Sequence, residues 1–399
     1  MTIKEVQSPQ DVQVFIKFPL QIFKDSKFWI RPLDKDIVSV FDVKKNTVAK
    51  AGNNKRWLLF DENKKVIGRV AAFVNDKTKL KNNDYPVGGM GFFECINDQV
   101  AANNLFDTAK NFLEDQGMEA MEGPINFGDR DKFWGLLTQG FEQEPNYLAN
   151  YNPPYYQQFF ENYGFKLYFN QFTFRRPIVA EFKDEYYKKG KAILDNPDFL
   201  FTTIKKNQLD KFTEDFRVVY NKAWVKHEGV SEMKPRQAKA IIKSLKPVIE
   251  EKLAFFAYHK DQPIAFFLNI PEVNQIFKYV NGKLDLWGKL TFLKHKLLKT
   301  NAKALGVAFG VSPEFDGKGV SQAITIYAAD QMINYTNYKF IEMHGIGDFN
   351  PAMLKFVSKL GLSDINKTHT TYRYVFDRNR PYERMPLKTN ERKKKTENA

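Results

Sequence analysis

Two pairs of apolar, β-prone runs, each joined by a short polar turn, stand out along the chain. Residues 56–60 (RWLLF) are followed by DENKK and then by 66–74 (VIGRVAAFV); residues 253–258 (LAFFAY) are followed by HKDQ and then by 264–270 (IAFFLNI). Each pair predicts a β-hairpin. Ile67 and Ile264 lie 197 residues apart, 264 minus 67. A helical pattern recurs at the same offset. In FNPAMLKFVSKLGL, Asn350 suits an N-cap, Pro351 the first helical position and Phe349 a staple onto Leu354. Met353, Phe356, Val357 and Leu360 then fall at i, i+3, i+4 and i+7, and Gly361 suits a left-handed stop. YNPPYYQQFFENYGF repeats the plan with Asn152, Pro153, Tyr156, Phe159, Phe160, Tyr163 and the stop Gly164, again 361 minus 164, or 197 residues, away. Two unrelated features at one offset predict a duplicated domain.

The predicted copies span residues 1–178 and 199–377. Between them, 179–198 form a polar linker that reads as a short helix ending at the breaker Asn196-Pro197, and 378–399 form a basic disordered tail. In the second copy the expected order is a strand at 200–204, helices near 211–224 and 236–251, the hairpin, a strand at 305–311, a helix at 320–336, a strand at 340–344, the capped helix at 352–360 and a strand at 370–376. Hairpins in series with a strand–helix–strand unit imply an α/β fold built on a mixed sheet with helices on its faces.

At 399 residues the chain is long enough for two or three domains. With 43% apolar and 15% aromatic residues it can fill large cores. Its longest apolar runs are far below the roughly 20 residues of a membrane helix, so no membrane insertion is expected. The first twenty residues lack a basic start followed by an apolar block, which predicts a cytoplasmic protein. A single cysteine, Cys95, makes no internal disulfide and reads as a buried strand residue. The five histidines (His227, His259, His295, His344 and His369) show no metal-ligand spacing, so no metal is expected. The net charge of +14 suits an anionic partner: nucleic acid, a phosphorylated cofactor or a membrane surface. The last 22 residues carry eight Lys or Arg against three Glu, ending in Arg392, Lys393, Lys394 and Lys395. The other +9 is spread through the chain in nothing denser than short Lys pairs and reads as a solvated surface.

The segment LGVAFGVSPEFDGKGVSQAITIYAADQMI, residues 305–333, carries the chemistry. A strand ends at Val311, a glycine-containing loop follows, and a helix begins near Gly319 with Val320, Ala323, Ile324, Tyr327 and Ala328 on its buried face. Such a helix start presents unpaired amides at the positive end of the helix dipole, and Gly317 and Gly319 let a phosphate approach the backbone. The expected diphosphate seat comprises Val311, Gly317, Lys318, Gly319, Val320 and Ser321, with Asn350 at the later helix start.

This loop, the later NPAMLKFVSKLGL and the element order together resemble the GNAT superfamily of acyl-CoA-dependent N-acyltransferases, closely over 199–377 and more weakly over 1–178. The resemblance implies two tandem GNAT-like domains, each a mixed, mostly antiparallel sheet flanked by helices, and acetyl-CoA or another acyl-CoA as co-substrate. It also implies a primary amine on a small molecule or peptide as acceptor. Asp316 stands where the family's loop has Arg or Gln, and Ser321 where its last Gly or Ala falls. Val357 and Phe160 stand where its general-acid Tyr falls, and the first copy's loop, ECINDQVAANNLFDTA, has no glycine.

Without that Tyr, thiolate protonation falls to water. The candidate bases are Glu342 and His344, which alternate onto one face of the strand beside the coenzyme strand, with Ile341 and Met343 on the other. Tyr155 and Tyr156, with Tyr147 and Tyr151 nearby, read as core residues first and as an acceptor pocket second. The irregular segment 122–137, with Asn126, Asp129, Arg130 and Trp134, is a further candidate for substrate contact. Two other readings compete with the acyltransferase: a Fem-type aminoacyl-tRNA-dependent transferase, which the positive charge would suit, and a binding protein that has lost catalysis.

Overall fold

The computed structural model describes residues 1–50, 52–80, 84–128, 130, 132–224 and 232–387. His227, Asp129 and the run Arg392 to Lys395 lie outside them. In the first half the strands are β1 (Thr2–Glu5), β2 (Asn54–Phe60), β3 (Val66–Phe73), β4 (Val87–Cys95), β5 (Ala120–Gly123), β6 (Leu136–Gln139) and β7 (Lys166–Pro177). Its helices are α1 (Pro9–Lys17), α2 (Pro19–Ile22), α3 (Asp34–Phe41), α4 (Gln99–Asp115) and α5 (Tyr156–Tyr163). After the connecting helix α6 (Asp184–Leu194) come β8 (Phe199–Thr203), α7 (Leu209–Trp224), α8 (Pro235–Leu245), β9 (Ala254–His259) and β10 (Gln262–Pro271). The chain ends with α9 (Asn274–Phe277), α10 (Leu286–Leu297), β11 (Lys303–Val311), α11 (Val320–Tyr335), β12 (Phe340–Gly347), α12 (Pro351–Leu360) and β13 (Asp364–Val375).

All the strands join one sheet in the order β1-β2-β3-β4-β5-β13-β7-β12-β11-β10-β9-β8, with β6 beside β13. The duplication is visible as matched halves: β4 answers β11, α4 answers α11, β5 answers β12 and α5 answers α12. The final strands, however, are exchanged. β7, the last strand of the first half, pairs with β12, and β13, the last strand of the second, pairs with β5. The two exchanged strands then pair antiparallel at the centre, from Asp364 opposite Arg175 to Arg373 opposite Lys166. Neither half completes its own sheet.

The hairpin strands are apolar almost throughout because helices cover both faces. Along β9, Phe256 and Tyr258 face α7 in one cluster with Phe212, Phe216 and Phe266, while Phe255 and Ala257 face α11 in another with Ile324 and Ala328. In the first half α4 and α5 cover one face through Phe106, Phe159 and Phe160, with Tyr372 of β13 in the same core. Tyr155 and Tyr156 belong to this packing, and Cys95, fully buried at the end of β4, has its thiol pushed up to about 12 by burial and by the nearby Asp98 charge.

Three local expectations need correction. Asn152 does not cap a helix: its side-chain amide accepts from Leu137 N–H at 2.7 Å and donates to Leu137 carbonyl at 3.1 Å, and α5 begins only after both prolines, at Tyr156. Asn350 does cap α12, accepting from Met353 N–H, but Phe349 turns away from Leu354 to pack on Tyr168 and Phe169. Gly361 has φ 71° but an extended ψ of 162°, so it ends α12 at a positive φ outside the left-handed helical well. The first part of the basic C-terminal segment is also laid onto the fold. Arg378 donates to Gly164 carbonyl, Tyr382 to Leu167 carbonyl, and Arg384 pairs with Asp348.

The strand exchange sets a testable outcome. Produced separately, residues 1–181 and 182–399 each lack a central strand and leave a long sheet edge open. Neither is expected to unfold cooperatively alone, and cooperativity is expected to return when the two are refolded together. A sharp urea transition from either piece by itself would contradict the exchange.

Candidate functional site

β11 and β12 run parallel and in register only from Lys303–Phe340 to Gly306–Met343. Beyond that β12 stays with β7 while β11 stays with β10, so the strands splay and the 307–311 edge of β11 has no strand partner among the described residues. Val307 on this edge is exposed, and Phe356 of α12 stacks on Phe309 with centroids 4.5 Å apart, bridging the sides of the cleft. The first half splays in the same place, since β4 meets β5 only from Val87–Ala120 to Gly89–Glu122. There the gap is filled: Ile125 N–H donates to Met90 carbonyl, and Tyr156 hydroxyl accepts from Cys95 N–H at 2.8 Å.

The helix starts beyond the two splays differ in the same sense. At α4 the Asp98 carboxylate accepts from the Val100 and Ala101 amides at 2.8 and 3.1 Å, so the chain's own anion occupies the amide cradle. At α11 the N-cap is Gly319, with φ 97° and no side-chain cap, leaving the first-turn amides of Val320, Ser321 and Gln322 without one. Gly317, at φ 72°, has nothing within 4 Å of where a Cβ would stand, and Lys318 and Asp316 are exposed beside it. Gly319 has a second reason to be glycine. A Cβ there would lie 2.8 Å from Lys189 carbonyl, because α6 packs across the start of α11. Val320 is buried under the same contact, and Ser321 donates to Gln322 Oε1 at 2.8 Å.

On the opposite face of the sheet, where the exchanged strands meet β12, lies a buried polar cluster. Glu342 is wholly buried; Arg175 of β7 donates to its Oε1 at 2.7 and 3.0 Å, and Lys367 of β13 reaches Oε2 at 3.0 Å. Asn146 donates to Oε2 at 2.6 Å and Asn366 to Oε1 at 3.2 Å, with Lys303 at 3.8 Å. Burial alone would raise its pKa; Lys367, Lys303 and the donors from Asn146 and Arg175 outweigh that and hold it at about 2. Glu272, also fully buried, accepts from Tyr147 and Asn274 amides, while its Oε2 has no partner among the described residues. Burial lifts its pKa to about 7 against the pull of Lys303.

His344 is the first residue of β12 beyond both its pairing with β11 and the start of its bulge against β7. Its Nδ1 lies 2.8 Å from Thr173 Oγ1, and no partner is seen for Nε2 among the described residues. Burial, with His369 and Lys367 nearby, pushes its pKa to about 3. His369 is wholly buried 5.9 Å away, centroid to centroid; its Nε2 donates to Asn150 carbonyl, and burial lowers its pKa to about 4. Asn150 also lines a cavity in the first half walled by Arg31, Ile37, Arg69, Phe92 and Tyr151.

Glu342 and His344 thus share a face as the alternation requires; both oxygens of Glu342 are engaged, while His344 Nε2 and His369 Nδ1 show no partner among the described residues. Val311, Gly317, Lys318, Gly319, Val320 and Ser321 cluster at the other end of β11, and Asn350 caps α12. Arg175, Lys367, Lys303, Asn146, Glu272, Thr173 and His369 were not singled out. The signal for Lys367 and His369 lies in KTHTTYR, where five polar residues run from Lys367 to Thr371, but such a run in a lone sequence reads as a solvent face. Only the strand exchange puts that face under residues 140–152. Trp134 of the 122–137 segment donates to Thr371 Oγ1 at 3.0 Å, on the same face.

The histidines set a pH dependence. Both rings stay neutral in the fold, whereas an unfolded chain protonates them near pH 6.5, so stability is expected to fall as pH drops below 6.5 toward their folded values. Glu272 acts oppositely. Its folded pKa is raised, so its contribution is present at low pH and lost as pH rises from about 4.5 to 7. Urea melts between pH 7 and 5 should show net acid destabilisation that shallows in His369→Gln and steepens in Glu272→Gln; unchanged slopes would contradict the assignment.

No family model matches the sequence. The chain is 21% identical over 375 residues to the bacterial ceramide synthase of Caulobacter vibrioides (strain NA1000 / CB15N), covering 93% of this chain and 97% of that one. It is 22% identical over 383 residues to protein YghO of Escherichia coli (strain K12), covering 90% and 92%. Among solved structures, a tandem GNAT protein from the clavulanic acid biosynthesis pathway superposes with a TM-score of 0.52 at 8% identity, over 96% of this chain and 99% of its own. The GCN5-related glucosamine N-acetyltransferase region of a fungal multi-domain GH3 beta-N-acetylglucosaminidase gives a TM-score of 0.52 at 13% identity over 94% of this chain; the match spans only 38% of that longer protein. These likenesses agree with the duplicated splay and helix starts: the chain has the tandem GNAT fold.

Proposed function

We propose that the protein is an acyl-CoA-dependent N-acyltransferase whose second half holds the coenzyme and whose acceptor is a primary amine on a long-chain, amphiphilic molecule. One contrast carries the reading. The splay and helix start are stopped up by Tyr156, Ile125 and Asp98 in the first half, and the equivalent strand edge and amides are left without those partners in the second. The α11 start, which has no side-chain cap, suits a diphosphate, and the unpaired 307–311 edge suits an extended chain bearing amides. The amphiphilic acceptor is inferred from the name of the ceramide synthase relative, since a ceramide is a long-chain amino alcohol acylated on nitrogen.

In this reading the amine nitrogen attacks the thioester carbonyl, the C–S bond breaks, and the thiolate takes its proton from water, because Val357 and Phe160 offer none. The amine must arrive neutral. Lys303, Lys367 and Arg175 outnumber the carboxylates of Glu342 and Glu272, and a net positive surround disfavours an ammonium. With Nδ1–H donated to Thr173, His344 presents a lone pair at Nε2. Its low pKa makes it a weak base, but the ammonium of a tetrahedral intermediate is a far stronger acid than a free alkylammonium, so a weak neutral base suffices. Glu342 then orders the cluster and takes no proton.

Isothermal titration with acetyl-CoA and palmitoyl-CoA, joined to a free-thiol release assay over an amine panel that includes long-chain amino alcohols, tests this directly. Gly317→Asp places a carboxylate at the amide cradle in a residue that tolerates positive φ. It should weaken acyl-CoA binding about tenfold or more with an unchanged melting temperature. His344→Gln should lower turnover about a hundredfold, the usual span of one acid–base group, at unchanged acyl-CoA affinity. Binding insensitive to Gly317→Asp would move the coenzyme elsewhere; full turnover in His344→Gln would remove the base.

A further inference from the structure

α10 is docked on one side and bare on the other. Its inner face is fixed: Phe292 packs on Phe277 with centroids 5.6 Å apart, His295 stacks on Tyr279 at 3.8 Å, and Asp285 caps the start by accepting from Gly288 N–H at 2.9 Å. Its outer face carries Leu286, Trp287, Leu290, Leu293, Leu297 and Leu298, all exposed, with Trp287 at 76% and Leu297 at 72%. The spacing 286, 290, 293, 297 is one helical stripe, and Trp287 and Leu298 flank it. Such a surface is costly in water and needs a cover.

Charge indicates what the cover is. Within residues 283–299, Lys283, Lys289, Lys294, Lys296 and Lys299 stand against the single carboxylate of Asp285, a net of five minus one, or +4, and all five lysines are exposed. A second copy of the chain would have to bury this positive face against an identical one, which repels. An anionic bilayer removes both difficulties: the leucines enter the acyl boundary, the lysines reach lipid phosphates, and Trp287 sits at the interface where an amphipathic ring is favoured. No helix among the described residues is long and apolar enough to cross a membrane, so the contact is with the surface.

We propose that α10 is an interfacial membrane-docking helix for anionic phospholipid, holding the protein peripherally on a bilayer. A recess lined by Arg31, Tyr279, Lys283 and Trp287 opens beside it, and Arg31 also lines the cavity that reaches Asn150. This inference stands on α10 alone and does not depend on the proposed acyl transfer.

Co-sedimentation of the full chain with vesicles of phosphatidylcholine and phosphatidylglycerol in equal parts, against pure phosphatidylcholine, is the test. Wild type should pellet with the anionic vesicles and be released by salt. The triple variant Leu290→Ser, Leu293→Ser, Leu297→Ser should bind about tenfold more weakly or worse, with unchanged circular dichroism and melting temperature. Lys289→Glu with Lys296→Glu should also abolish the anionic preference, a result that does not rely on the serine variant folding. Vesicle addition should blue-shift the emission, and Trp287→Phe should remove that shift. Wild type remaining in the supernatant, binding indifferent to both variants, or a dimer in light scattering that the serine variant disperses without any vesicle binding would each overturn the proposal.

Discussion

The wholly buried carboxylate of Glu342 organises the centre of this molecule. A charge removed from water is expensive unless it is paired and hydrogen-bonded. Its partners come from every part of the chain that must meet there: Arg175 from the end of the first half, Lys367 from the end of the second, Asn146 from the segment that crosses the sheet and Lys303 from β11. With the final strands exchanged, Arg175 of the first half and Lys367 of the second both reach this carboxylate, so the cluster joins the two halves. Lys367, which pairs with Glu342, also helps burial keep His344 and His369 neutral, which ties the chemistry proposed for this face to the way the halves are joined.

The two halves carry equivalent splays, and in the first the splay is filled from within the chain. Asp98 supplies to α4 the negative charge that α11 lacks, and Tyr156 supplies to Cys95 a partner for its strand-edge amide. Each satisfies backbone groups from within the chain, and Tyr156 also joins the aromatic core around Phe106 and Phe160. The closed half thereby becomes scaffold. It contributes Asn146 and Asn150 to the polar face and the cavity beside them, and leaves the strand edge and helix start of the second half as the pair to which we assign the coenzyme.

Much of this fold was legible in the sequence because its signals were local. The 197-residue repeat, the hairpins, the helix stop at Gly164 and the α11 start rest on turn chemistry and periodicity that a short window contains. The strand exchange was not legible, since β7 and β13 carry the same alternation whichever sheet receives them, and register between distant strands leaves no local trace. For the same reason Lys367 and His369 read as surface residues. Residues 272–302, which hold α9 and α10, have no counterpart in the repeat, and so the duplication drew no notice to them. Gly319 read as a phosphate glycine, whereas packing against Lys189 gives it a structural duty as well.

The claim that the two halves are held by one shared buried charge is tested most directly by a double-mutant cycle at Glu342 and Lys367, read by urea unfolding. Glu342→Gln strands the buried Lys367, and a loss of about 3–5 kcal/mol is expected where a buried charge is left uncompensated; Lys367→Met leaves Glu342 with Arg175 and the two asparagine amides and is expected to cost less. The account predicts that the double variant loses less than the sum of the singles, because neither charge remains to be satisfied. Strictly additive losses would mean that the two residues do not share a charge balance, and would contradict it.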